Sequence, residues 1–236
     1  MMSWLAAIRV ENTKLYRSYV FIGILAFFLF VTVIRAGESD WTVYLQNVVF
    51  MFSSVFGIIG FGAVVSWTFG REYSDRTFKD LLALPVSRGT IVMAKSAVAA
   101  SCCFILALIT FGFAIMTGFI AGMQGFSTVE VKHYLIQLLI AVCLHVVLCG
   151  PVAFIASASR GYLMPIGFAF TTLMVALIAG STPLGAYLPW SIPALQLAGS
   201  SISAFPLNAV SYMIPVIAGT AGLAATWAWW RSADHK

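Results

Sequence analysis

The chain has 236 residues, 61% of them hydrophobic and 9% charged, with a formal net charge of +5 and a mean hydropathy of +0.97. A soluble domain carries about 25% charged residues and needs polar groups to cover its surface. The composition therefore excludes cytosolic enzymes, nucleic-acid binders and secreted disulfide scaffolds, and reads as an all-α integral membrane protein. One crossing of the bilayer takes about 20 helical residues and six take about 120–140, so residues 1–236 form a single transmembrane domain with short loops.

Residues 1–18 come first. Trp4, Leu5, Ile8 and Leu15 recur at roughly helical spacing among Arg9, Asn12, Lys14 and Arg17, which predicts an amphipathic helix lying in the headgroup region. The apolar run that follows resembles a signal-peptide core. However, its leader is long and Ile34-Arg35-Ala36 is a poor cleavage site, so it is read as a retained first span over 19–36. Further spans are expected at 44–69, 91–122, 134–158, 162–180 and 208–230. Trp227, Trp229 and Trp230 before Arg231 read as an interfacial anchor at the exit of the last span.

With six spans both termini share a side. Only Arg35 and Lys132 fall on the other, which leaves eleven of the thirteen Lys and Arg residues on the terminal side. The positive-inside rule then makes both termini cytoplasmic in a multi-pass plasma-membrane protein. Residues 181–207 become an external stretch without charge, carrying Pro183, Pro189, Pro193 and Pro206 with Tyr187 and Trp190. Such a stretch is expected to be a re-entrant or interfacial hairpin made of short helical pieces.

Little in the chain offers catalysis. Gly89 to Ser96 mimics a phosphate loop, but Ala94 replaces the second glycine and the segment opens a membrane span. Lys95 accordingly reads as a basic side chain snorkelling at a helix start. His133, His145 and His235 are scattered without the spacing of a helical metal site. No catalytic residue, metal ligand or cofactor site is expected in this chain. His145 is the one ionisable group near mid-membrane. It reads as a neutral imidazole hydrogen-bonded between helices, with a place on a substrate pathway as the alternative. Cys102, Cys103, Cys143 and Cys149 lie in apolar runs and read as packing residues. Gly118/Gly122 and Ala218/Gly222 at four-residue spacing would let helices approach closely.

The informative segment is 70–90. Ser74 or Asp75 is a candidate N-cap for a short helix over Thr77–Leu84, which Pro85 ends. Phe78, Leu81 and Leu82 share one face and Lys79 and Asp80 the other. The piece is a compact amphipathic helix tied to spans two and three, shaped to sit in a groove on a soluble partner.

Glu72…Asp75-Arg76-Thr77…Leu81-Leu82…Leu84-Pro85-Val86-Ser87-Arg88…Lys95 resembles the cytoplasmic signature of type-2 ATP-binding-cassette (ABC) export permeases. Leu188-Pro189-Trp190-Ser191-Ile192-Pro193 resembles that family's motif between spans five and six. Size and the lack of a large external domain are similar to bacitracin and lantibiotic immunity permeases. The resemblance implies that 70–90 holds a cytoplasmic coupling helix contacting a separate ATPase subunit. Glu72, Asp75, Arg76, Thr77 and Lys79 would form the contact, with Pro85 and Arg88 shaping its far end. Arg76 stands where many relatives carry glycine.

The resemblance further implies a homo- or heterodimer of permease subunits served by two ATPase copies, which hold the ATP and Mg, and export of an amphipathic or hydrophobic cargo such as a peptide antibiotic or a lipid-like molecule. Alternatives from other classes are a passive channel or secondary transporter, and a membrane scaffold subunit without transport of its own. The carboxylate-free spans argue against proton coupling.

Overall fold

The computed structural model describes residues 4–78, 86–202 and 207–232, with the side chains of 198–202 outside the description. Helix α1 (Trp4–Tyr16) precedes α2 (Tyr19–Ile34), and a 3₁₀ turn (Arg35–Gly37) follows. Helices α3 (Trp41–Met51) and α4 (Gly57–Ser74) are joined by a π-helical stretch, Phe52–Phe56, into one continuous rod. Then come α5 (Arg88–Ile120), α6 (Thr128–Ala158), α7 (Leu163–Gly180), a 3₁₀ turn (Pro183–Tyr187), α8 (Ile192–Ile202) and α9 (Ala209–Ser232). Six of these rods are long and apolar enough to cross a membrane: Tyr19–Gly37, Trp41–Ser74, Arg88–Ile120, Thr128–Ala158, Leu163–Gly180 and Ala209–Ser232. The chain is a polytopic all-α membrane protein. No β-strand occurs among the described residues, only an isolated bridge between Asp40 and Gln124.

Helix starts follow local chemistry. The Ser18 hydroxyl accepts from Phe21 N at the head of α2, the Asp40 carboxylate from Thr42 N and Val43 N at the head of α3, and the Ser87 hydroxyl from Thr90 N at the head of α5. At 33 and 31 residues, α5 and α6 are each about 45–50 Å long at 1.5 Å per residue. They overshoot a hydrocarbon core of about 30 Å.

The α3–α4 rod is the most deeply buried. Its buried rings Phe52, Phe56 and Phe61 join Phe28 of α2 in the core, where Phe28 stacks on Phe56 and meets Phe52 edge-on, as Phe52 does Phe61. By contrast α2, α7 and α9 turn Phe27, Phe30, Leu177, Ile178, Met213 and Ile217 outward, a belt that an apolar solvent must cover.

The closest crossing is between α6 and α9. A Cβ on Gly219 would lie 2.2 Å from the Val147 carbonyl oxygen, and one on Gly150 would lie 2.1 Å from the Gly219 oxygen. Gly222 approaches the Pro151 nitrogen just as closely. These backbones touch because the side chains are missing. The other expected small pair serves a different end. Gly118 makes room for the Trp41 ring, whereas Gly122 has open space around it and a φ of +67°, so it supplies a left-handed turn after α5.

Between α7 and α9, residues 183–187 and 192–202 form short helical pieces. Ser191, Ile192 and Pro193 are buried, and Trp190 meets Phe168 edge-on.

Gly219→Ala must push α6 and α9 apart, an overpacking cost of about 1–3 kcal/mol. Gly112→Ala meets nothing within 4 Å and should be neutral or slightly stabilising. Thermal unfolding in detergent micelles should rank the two in that order.

Candidate functional site: the face that carries both termini

Helix α1, the end of α4, the start of α5 and the end of α9 meet at one end of the bundle, where the long α4 and α5 rods bring their polar residues together. At the centre lies Lys95, fully buried. Its ammonium donates to Glu72 Oε1 at 2.7 Å, Glu11 Oε2 at 3.0 Å and the Thr68 carbonyl oxygen at 2.9 Å. Lys14 completes the group, 3.0 Å from Glu11 Oε1 and 3.4 Å from Glu72 Oε1. Two ammonium groups and two carboxylates thus knot α1, α4 and α5 together. Among the described residues, the buried Glu72 Oε2 has no hydrogen-bond partner.

The geometry corrects the reading of Lys95 as a snorkelling residue. Its chain points into the bundle because two carboxylates are there to receive it. Helix α1 is oriented by the same knot: Glu11 and Leu15 are its buried residues, while Leu5 is 74% exposed. Burial pushes the Glu11 carboxyl up, but the Lys95 and Lys14 ammoniums outweigh it and hold the group below its ordinary 4.5. Burial lowers Lys14, and the carboxylates of Glu11 and then Glu72 overcome this to hold it above its ordinary 10.5.

A second set of contacts binds residues 70–90 to α9. Phe78 stacks on Tyr73 at 4.2 Å and meets Trp230 edge-on at 5.1 Å. Trp230 is fully buried, and its Nε1 donates to the Ser157 hydroxyl of α6 at 3.0 Å. Arg88 Nη1 donates to the carbonyl oxygens of Trp230 and Arg231, 3.2 Å each. A guanidinium thereby meets the negative end of the α9 dipole. The expected tryptophan anchor is corrected in part: Trp227 is exposed and Arg231 sits over its ring at 4.7 Å, but Trp230 belongs to the interior.

The other expected site residues fall as follows. Ser74 is the last residue of α4 and Asp75 its C-cap, so neither caps a new helix. Asp75 Oδ2 accepts from Arg71 Nε at 2.8 Å, an exposed pair one helical turn apart. Arg76 has φ +58°, a left-handed turn that glycine enters without a Cβ clash. That is the physical reason a glycine is at home there. Asp75, Arg76 and Thr77 are all exposed. Lys79, Leu81, Leu82 and Pro85 lie outside the described residues, as does most of the helix expected over Thr77–Leu84.

His145 sits far from this face, buried in α6. Its Nε2 is 2.9 Å from the Ser53 carbonyl oxygen inside the π-helical stretch. A carbonyl only accepts, so Nε2 carries the proton. The ring fills the space beside Gly57, where a Cβ would lie 2.1 Å from Cδ2. Among the described residues no cluster of His, Cys, Asp or Glu is arranged to hold a metal ion.

Two comparisons bear on these observations. A model of the ABC-2 family of transporter proteins matches residues 7–176. That range takes in the whole Glu11–Glu72–Lys95 knot and ends before Leu188–Pro193. A bacitracin transport permease protein, BCRB, of Bacillus licheniformis is 28% identical over 178 residues, 75% of this chain and 85% of that protein.

Removing one partner of a buried ion pair leaves the others uncompensated, at a cost of about 3–5 kcal/mol. Lys95→Met should therefore destabilise the folded protein by about that amount in a denaturant titration in micelles. Docking of α1 also has a pH window. The Glu11 contribution is present above 4.5 and disappears as pH falls through its lowered value. The Lys14 contribution is present below 10.5 and disappears as pH rises through its raised value. Spin labels at Asn12 and Met93 should report one sharp distance between those limits and a broadened one beyond either.

Proposed function

The chain belongs to the ABC-2 transporter family and is a transporter permease subunit, and on that footing we propose that it moves cargo out of the cell with energy from a separate ATPase. The carrying observation is the double fastening of residues 70–90. Glu72 on one side of this segment and Lys95 beyond the other are locked to α1, while Phe78 and Arg88 are locked to α9. A push on the segment is therefore delivered to α1, α4, α5 and α9 at once, and a lever that serves rigid-body motion needs no reactive group of its own.

The exposed residues Asp75, Arg76 and Thr77 face away from the bundle and are available for the contact. Glu72 acts behind them as a positioning residue, since its carboxylate is spent on the internal knot. The terminal side carries eleven of the thirteen basic residues of the sequence, which supports a cytoplasmic location for it and for the ATPase. Two such permease subunits, identical or related, would work with two ATPase copies that hold the nucleotide and Mg. The permease named above transports bacitracin, and the spans of this chain present few charges to a polar solute. Both support an amphipathic or hydrophobic cargo, a peptide antibiotic or a lipid-like molecule.

The test is association with the ATPase subunit and stimulation of its hydrolysis in proteoliposomes. Asp75→Lys combined with Arg76→Glu should weaken association by about tenfold or more, the worth of two misplaced charges at a contact. Lys132→Glu, at the opposite end of the bundle, should leave it unchanged. If the double reversal associates and stimulates like the unaltered chain, the contact lies elsewhere and the coupling role of this segment fails.

A further inference from the structure

A groove of about 1060 Å³ runs between α1–α2 on one side and α4 with the start of α7 on the other. Its two ends differ in chemistry. Arg9, Lys14, Arg17 and Arg71 line the end nearest the termini, and Val20, Ala63, Trp67 and Ile166 line the part within the membrane-spanning helices. Asp75 is the one carboxylate among the described residues that line it, and Arg71 already engages it. Lys14 is likewise committed to Glu11 and Glu72. Arg9 and Arg17 are exposed, and neither pairs with a carboxylate among the described residues. The groove thus presents two uncompensated guanidiniums, backed by two further cations, directly above an apolar slot.

From this we infer that the groove holds an anionic phospholipid of the surrounding bilayer. The phosphate group would be gripped by Arg9 and Arg17, and an acyl chain laid along Trp67, Ala63 and Ile166. Charge complementarity selects the headgroup, because guanidinium binds phosphate through paired N–H donors. The membrane-level apolar wall selects a lipid over a soluble anion. The Arg71 guanidinium lies 4.8 Å from the Trp67 ring centroid, and this places a cation at the step between the polar and apolar parts. Helix α1 forms one lip of the groove through Arg9 and Thr13, and carries Glu11 into the buried knot. A bound lipid would therefore touch the same helix that the buried knot holds. The inference needs only that the chain sits in a membrane, and stands apart from the ATPase reading.

The experiment is native mass spectrometry of the purified full chain in micelles. It would be titrated with phosphatidylglycerol, with phosphatidylcholine of the same acyl chains, and with glycerol 3-phosphate. The expected result is one tightly retained phosphatidylglycerol, held about tenfold or more over phosphatidylcholine, with glycerol 3-phosphate unable to displace it. Arg9→Gln with Arg17→Gln should abolish that preference, and Lys132→Gln should preserve it. Equal retention of both lipids by the unaltered chain would overturn the inference without recourse to any variant. So would displacement by glycerol 3-phosphate, which would mark a site for soluble phosphate, or a preference untouched by the arginine changes.

Discussion

An ammonium group sealed from solvent is tolerable only where it is surrounded by acceptors, and Lys95 has all three of its donors engaged. The energetic consequence is asymmetric. Assembling the four-charge knot gains little over a well-packed apolar equivalent, since each ion must first be dehydrated. Separating the partners once they are buried is expensive, because each is left unpaired in a medium that screens poorly. The knot therefore matters less as a source of stability than as a rule about motion. Helices α1, α4 and α5 travel together, and no thermal fluctuation of modest size peels α1 away from the bundle. Among the described residues, the second oxygen of Glu72 meets no donor.

The fastening to α9 uses different physics. Phe78, Tyr73 and Trp230 interlock as rings, and Arg88 donates to the carbonyl oxygens of Trp230 and Arg231 near the end of α9. Ring packing is insensitive to salt and pH across the ordinary range, whereas the charge knot depends on all four groups holding their protonation states. Residues 70–90 are thus held from two directions by bonds of independent character. Neither fastening takes up the exposed turn Asp75–Thr77, where the left-handed Arg76 turns the chain outward.

Much of this was legible in the sequence, and the boundary is instructive. The six spans follow from hydropathy alone, because lipid leaves a helix no other way to satisfy its backbone; the observed rods begin and end within a few residues of the expected ones, except where α3–α4 and α6 extend past the apolar run into polar residues. At Lys95 the local pattern misleads for a definite reason. A lysine one turn inside an apolar helix ordinarily reaches back to water, and its partner Glu11 lies 84 residues away, beyond any local pattern. One signal is present in the sequence: Glu11 is the only acidic residue in an otherwise basic first helix, and an acid at that position points to a distant cation. Trp230 departs from its local pattern for a similar reason. Three tryptophans before an arginine look alike in sequence, and only the α6–α9 crossing decides which one turns inward to Ser157.

The π-helical stretch Phe52–Phe56 had no sequence signal at all, yet it connects the core to the terminal face. Widening the helix by one residue breaks the regular ladder, and the Ser53 carbonyl then meets the His145 imidazole. Glycine at 57 follows from this arrangement, since any side chain there would occupy the space of the ring. The imidazole and the widened turn are therefore one device, with α6 supplying the proton donor and the α3–α4 rod the irregular backbone. The rod runs unbroken from this point to Glu72, so one helix carries both the widened turn beside His145 and the buried carboxylate of the terminal face.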